Sequence, residues 1–183
     1  GATNTNVREI NIAKPEISGV KVFMGARTGN SQMTDENAQA EFFQECARLD
    51  LPLAIHAEDE ATLQKAKADF VGVPTVSDHG KLRPREAAII ALERAIQFAE
   101  KYKTKVYSLH TSTKEEVELI RSAKKLGITI FAEVTPHHIF LNETDLEYLG
   151  NLGKMNPPLR TTVDQASLWD GIHDGAIDTI GTD

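Results

Sequence analysis

Two hydrophobic periods alternate along this chain. Apolar runs bounded by turn residues occupy 18–25, 51–57, 105–109, 128–134 and 176–181, and runs of that length read as buried strands. Between them apolar residues recur every three or four positions, the spacing of a helix that buries one face. Ala38, Phe42, Cys46 and Leu49 mark one such stripe, Ile89, Leu92, Ile96 and Ala99 a second, Val117, Ile120 and Ala123 a third, and Leu168 with Ile172 a fourth. Residues 61–70 read as a further helix, and 7–14 and 142–149 as short ones, the first of them closed by Pro15.

Local punctuation supports these boundaries. Thr34 is the predicted N-cap of the first striped helix, with Asp35 and Glu36 in its first turn. Pro84 falls in the first turn of the longest helix, predicted to run to about Tyr102, where its missing N–H costs nothing. Ser112 with Glu115, and Thr162 with Gln165, have capping-box spacing, and Gly127 and Gly175 are helix stops. Residues 25–30 and 72–80 read as loops, and Asn156-Pro157-Pro158-Leu159-Arg160 cannot be helical.

Strand and helix therefore alternate, with five strands and at least four helical segments between them. That order predicts an α/β fold with a parallel sheet and right-handed crossovers. An open doubly wound sheet commonly announces itself by a glycine-rich phosphate loop, and neither G-x-G-x-x-G nor G-x-x-x-x-G-K-S/T occurs. A (β/α)8 barrel of the TIM type gathers its chemistry at the C-terminal ends of its strands. That is where the polar residues fall.

Lys21 lies in the middle of the first apolar run. Alternation puts Val20, Val22 and Met24 on one face and Lys21 with Phe23 on the other. A desolvated ammonium must pair, lose its proton or be converted. Pairing with Asp183 or Glu133 is the structural reading; conversion by carbon dioxide to a carbamate that bridges two metal ions is the functional one. His56, His110 and Asp183 each end a different predicted strand, and Thr135 to His138 follow another. One histidine at a strand end is usually a hydrogen-bonded structural residue, but imidazoles and a carboxylate gathered on one rim are a zinc-type donor set.

Composition narrows the field. The 183 residues are 40% hydrophobic, enough for one compact domain, and the net charge of -7 disfavours nucleic acid and anionic membrane as partners. The single cysteine, Cys46, lies in a helical stripe, which suits a reducing compartment, and no signal peptide or long apolar span is present, so the expected location is the cytoplasm. The start carries no initiator methionine and is uninformative on this point.

Six stretches in order carry a family resemblance: Val20-Lys21-Val22-Phe23-Met24-Gly25, Ile55-His56-Ala57-Glu58, Ser108-Leu109-His110-Thr111-Ser112, Glu133-Val134-Thr135-Pro136-His137-His138, Lys154-Met155-Asn156-Pro157-Pro158-Leu159-Arg160 and Ile180-Gly181-Thr182-Asp183. Together they resemble the dihydroorotases, cyclic amidohydrolases of the metal-dependent amidohydrolase superfamily. The resemblance implies that Lys21 is the carboxylated lysine bridging two zinc ions, that His56 and His110 bind the second ion, and that Asp183 ligates a metal and carries the catalytic proton. It implies that Asn156 helps hold the pyrimidine ring and that His137 lines the site, with Arg160 structural. The reaction implied is the interconversion of dihydroorotate and N-carbamoyl-L-aspartate, in pyrimidine biosynthesis, by a zinc-activated hydroxide.

The family's first-strand His-x-His pair and its histidine-containing segment after the aspartate have no counterpart in these residues. A complete barrel takes about 250 residues. The expectation is therefore a single partial domain over 1–183, strands four to eight of a barrel with Gly1-Ala2-Thr3-Asn4 as the end of the third, and inactive by itself. Allantoinase and dihydropyrimidinase share the lysine, histidine and aspartate pattern and stand as alternative readings. A homo-oligomer such as a dimer is expected. A non-catalytic dihydroorotase-like subunit that scaffolds aspartate transcarbamoylase is the alternative of another class, and it should have lost metal ligands that are present here.

Overall fold

A computed structural model describes residues 2–25 and 33–183, so most of the loop read at 25–30 lies outside the described residues. Five parallel strands form one sheet: β1 (Val20–Phe23), β2 (Leu53–His56), β3 (Val106–Ser108), β4 (Ile130–Val134) and β5 (Thr179–Ile180). Their spatial order is their sequence order, β1-β2-β3-β4-β5. A doubly wound sheet reverses direction at a switch point and this one does not, so the sheet is an arc of a barrel. The Ala2 N–H donates to the Lys21 carbonyl at 3.1 Å, so Ala2 lies beside β1.

The helices are α1 (Glu9–Ala13), α2 (Glu36–Leu49), α3 (Glu60–Asp69), α4 (His79–Leu82), α5 (Arg85–Tyr102), α6 (Lys114–Lys125), α7 (Pro136–Phe140), α8 (Leu146–Leu149) and α9 (Thr162–Asp174). They cover one face of the sheet. Val22, Leu53, Ile55, Val106, Ala132 and Val134 are fully buried there against Phe42, Phe43, Cys46, Ala91, Leu92, Val117, Ile120 and Leu168. Within the longest helix the buried stripe is Ala87, Ala88, Ala91, Leu92, Ala95 and Ala99, rotated from the predicted one. Small side chains let α5 lie close to the strands, so Ile96 is only partly buried and Ile89 stays at the margin.

Four boundary readings shift. Asp35, not Thr34, caps α2, accepting from the Asn37 and Ala38 N–H groups. The capping boxes are Thr113 with Glu116 and Thr161 with Asp164, one residue from the predicted pairs, because the carboxylate must reach back to the N-cap amide and these pairs do. The 72–80 loop contains a short 3-10 turn and the start of α4. Thr135-Pro136-His137-His138 is a capped helix start, the Thr135 hydroxyl accepting from the His138 N–H.

The uncovered face of the sheet carries the chemistry. In register across it stand Lys21 and Ala54, Phe23 and His56, Tyr107 and Phe131, and Glu133 and Thr179. Gly25 closes β1 where the main chain of Glu58 passes so near that a Cβ would overlap the Glu58 carbonyl oxygen. Backbone cannot swing aside as a side-chain tip can. Gly25→Ala is therefore expected to destabilise the chain by about 2 kcal/mol or more, read as a lower urea midpoint; an unchanged midpoint would show that the two segments can separate freely.

Candidate metal centre

His56 is the last residue of β2 and faces the open side of the sheet by simple alternation. His110 lies two residues beyond β3, and alternation from Tyr107 would send it to the helix side. Its φ of 38° places it in the left-handed region, rare for a residue with a Cβ and costing on the order of 1–2 kcal/mol. That turn brings its Nε2 to 2.9 Å from His56 Nδ1, with the two rings edge to face at 4.7 Å between centroids. Both histidines are buried, at 4% and 3% exposure.

Burial holds His110 neutral, its pKa well below the ordinary value, and its neighbours His56, His138 and Lys21 push the same way. A neutral imidazole presents a lone pair and is a metal ligand. Two nitrogens bound to one tetrahedral zinc at ordinary bond lengths lie about 3.3 Å apart, so the observed pair needs only a small opening to accept an ion. The donor set fits on that count. Among the described residues no three His, Cys, Asp or Glu side chains converge on one point, so any further ligand comes from elsewhere.

Lys21 stands on the same open face, its Nζ 4.8 Å from the centre of the Phe23 ring. No ion pair joins it to a described carboxylate. Glu133, one expected partner, instead accepts from the Tyr107 hydroxyl at 2.7 Å, and Tyr107 in turn contacts the Thr179 hydroxyl at 2.7 Å. Asp183, the other, is exposed at the far end of the sheet, where its charge acts on His137. The structure thus brings His56 and His110 together, sets Lys21 within electrostatic reach of His110, and does not bring Asp183 to them.

His137 and His138 part company. His137 is half-buried. His138 is buried with both nitrogens used: Nε2 donates to the Pro157 carbonyl at 3.0 Å and the Thr135 hydroxyl donates to Nδ1 at 2.7 Å. It fastens the proline-rich stretch 156–160 to the end of β4. Asn156 is exposed, its Oδ1 accepting from His79 Nε2 at 3.0 Å. Arg160 is buried, and its Nη1 donates to the Arg83 carbonyl at 2.8 Å.

Glu58 was not singled out by the sequence reading. It is fully buried, and its Oε2 accepts from His56 Nε2 at 2.7 Å while Arg83 donates to both its oxygens, at 3.0 Å from Nε to Oε1. Burial alone would raise its pKa, but the hydrogen bonds from His56 and Arg83, with the arginine charge, outweigh that and hold it at about 2. The available signal was its place two residues after a strand-end histidine, on the same side of an extended segment.

No family model matches the chain. Curated relatives do: it is 37% identical over 152 residues to the dihydroorotase of Anoxybacillus flavithermus, covering 78% of this chain and 33% of that protein. To the dihydroorotase of Methanosarcina mazei it is 35% identical over 169 residues, 89% of this chain and 37% of that one. The chain belongs to the dihydroorotase family. It spans about a third of the length of these curated dihydroorotases. Among solved structures it is similar to the L-hydantoinase (dihydropyrimidinase) from Arthrobacter aurescens, with a TM-score of 0.92 and 27% identity, covering 100% of this chain and 42% of that one. A dihydroorotase-family chain thus shares its arc of barrel with a hydantoinase.

Burial also holds His138 neutral, with a pKa of about 3. A histidine whose folded pKa is depressed supports the fold fully above its ordinary pKa near 6.5, and that support is lost as pH falls toward the folded value. The loss is about 1.4 kcal/mol per pH unit for each such histidine. Urea midpoints are therefore expected to fall between pH 7 and pH 5, and His138→Gln should make that fall shallower by one proton's share. Parallel curves for the two proteins would assign the slope to other groups.

Proposed function

We propose that this chain supplies the metal-binding rim of a cyclic amidohydrolase acting on dihydroorotate, in the reversible ring opening to N-carbamoyl-L-aspartate in pyrimidine biosynthesis. The observation that supports it most is the buried pair of imidazoles, His56 and His110, delivered from neighbouring strands with their nitrogens 2.9 Å apart. A purely structural barrel has no need of a strained left-handed histidine at that point.

His56 Nδ1 and His110 Nε2 would hold zinc, with Lys21, as its carbamate, as a further oxygen donor. Zinc, when bound, supplies Lewis acidity: it lowers the pKa of water and polarises a carbonyl. The chain's own residues do the rest. Asp183 would take a proton from the water that adds to the ring carbonyl carbon, and give it to the amide nitrogen as the C–N bond breaks. Asn156, exposed at the head of the stretch fastened by His138 and His79, and His137 beside Asp183, would hold the ring. The free Cys46 is buried and pushed up to about 12, chiefly by burial, so it is inert, in keeping with a cytoplasmic protein.

Substrate choice follows the relatives' sequence identity, which is higher to dihydroorotases than to hydantoinases. The scaffold alternative is disfavoured because Lys21, His56, His110 and Asp183 are all retained. The test is elemental analysis of the chain, and of any longer polypeptide that carries it, after growth with zinc and bicarbonate, with ring opening assayed on dihydroorotate, dihydrouracil and allantoin. Zinc lost in both Lys21→Ala and His110→Ala, with turnover of dihydroorotate above the other two, is the expected result. A folded wild-type protein without metal would remove this reading and favour the scaffold.

A further inference from the structure

We propose that Glu58, held by Arg83, is a positioning residue that fixes the Nε2–H tautomer of His56 and so turns the Nδ1 lone pair toward His110. This rests on the reading of the two histidines as metal ligands. A carboxylate only accepts hydrogen bonds, so the ring nitrogen 2.7 Å from Glu58 Oε2 carries the proton. A ligating imidazole is neutral and carries one proton, so in that form His56 Nδ1 is left as the lone pair facing His110 Nε2. The opposite tautomer would point an N–H into the metal position and set two lone pairs against each other at Glu58.

Glu58 cannot turn away. Arg83 donates to both its oxygens, and both residues are buried. Arg83 is itself fixed at the junction of α4 and α5, where its carbonyl accepts from Arg160. The same α4 carries His79, whose Nε2 meets the Met155 carbonyl and Asn156 Oδ1. A carboxylate behind a ligating histidine both orients the ring and raises its basicity. Here the carboxylate is locked by a third group that also touches the ring-holding stretch.

Glu58→Gln tests this with almost no change of shape. Arg83 has donors only, so it would claim the single amide oxygen, leaving the amide NH2 to face His56 Nε2 and driving the proton to Nδ1. The readout is the two-bond 1H–15N spectrum of the labelled, metal-free chain, with zinc affinity measured against a chelator. Wild type should show His56 as Nε2–H; the variant should show Nδ1–H and bind zinc about 10–100-fold more weakly. Nδ1–H in wild type overturns the assignment, even if the variant does not fold, and so does a variant that keeps Nε2–H with unchanged affinity. A tautomer that flips in a wild-type and variant pair neither of which takes up zinc upholds the positioning role and overturns the metal reading instead.

Discussion

A carboxylate with no exposed surface stays ionised only if donors meet both its oxygens, and Glu58 is in that position. Its donors come from two directions. His56 reaches it from the end of β2, and Arg83 reaches it from the turn between α4 and α5. Removing one partner from such a buried set costs about 3–5 kcal/mol, so the strand end and the helical turn are held to one geometry. Through the Arg83 carbonyl and His79 that geometry extends to Arg160, Met155 and Asn156. One buried charge thus ties the imidazole pair to the stretch read as holding the ring.

The second constraint is the period of two along a strand. One face of the sheet is filled by helices that leave Val22, Leu53, Val106 and Val134 no exposure. The other carries Lys21, His56, Tyr107 and Glu133, with Phe131 about half exposed. A lysine on a covered face would have been expelled or neutralised. Lys21 instead lies over the Phe23 ring, an interaction worth about 0.5–1 kcal/mol at a partly exposed site. That is weak anchoring for a side chain whose charge already opposes protonation of His110.

Much of this was legible in the sequence, because the strands are short apolar runs and each ends on a polar residue. Lys21, His56 and His110 were readable as one rim from their places alone. The α5 stripe was not, since alanines that permit close helix approach carry less hydrophobic signal than the isoleucines beside them. The capping boxes slipped by one residue because serine and threonine adjoin at 112–113 and two threonines adjoin at 161–162. Glu58 and Arg83 are 25 residues apart and meet only through the path of α3 and α4, which no local pattern encodes. The meeting of His110 with His56 depends on a backbone turn that alternation argues against.

Likeness of shape and likeness of sequence point to different members of one superfamily, and they carry different weight. A TM-score of 0.92 at 27% identity reports that strands and helices superpose, and a shared fold does not by itself fix function. The 37% identity to a dihydroorotase extends over 152 residues, 78% of this chain. In folds of this kind the loops that follow the strands, not the sheet, are where members differ in what they bind. The Asn156-to-Arg160 stretch is fastened from beneath by His138 and from the side by His79, so its residues are placed by the same network that orients His56. The stretch and the imidazole pair are therefore joined through one set of buried contacts, and a change in the stretch that loosened His79 would be felt at His56 by way of Arg83 and Glu58.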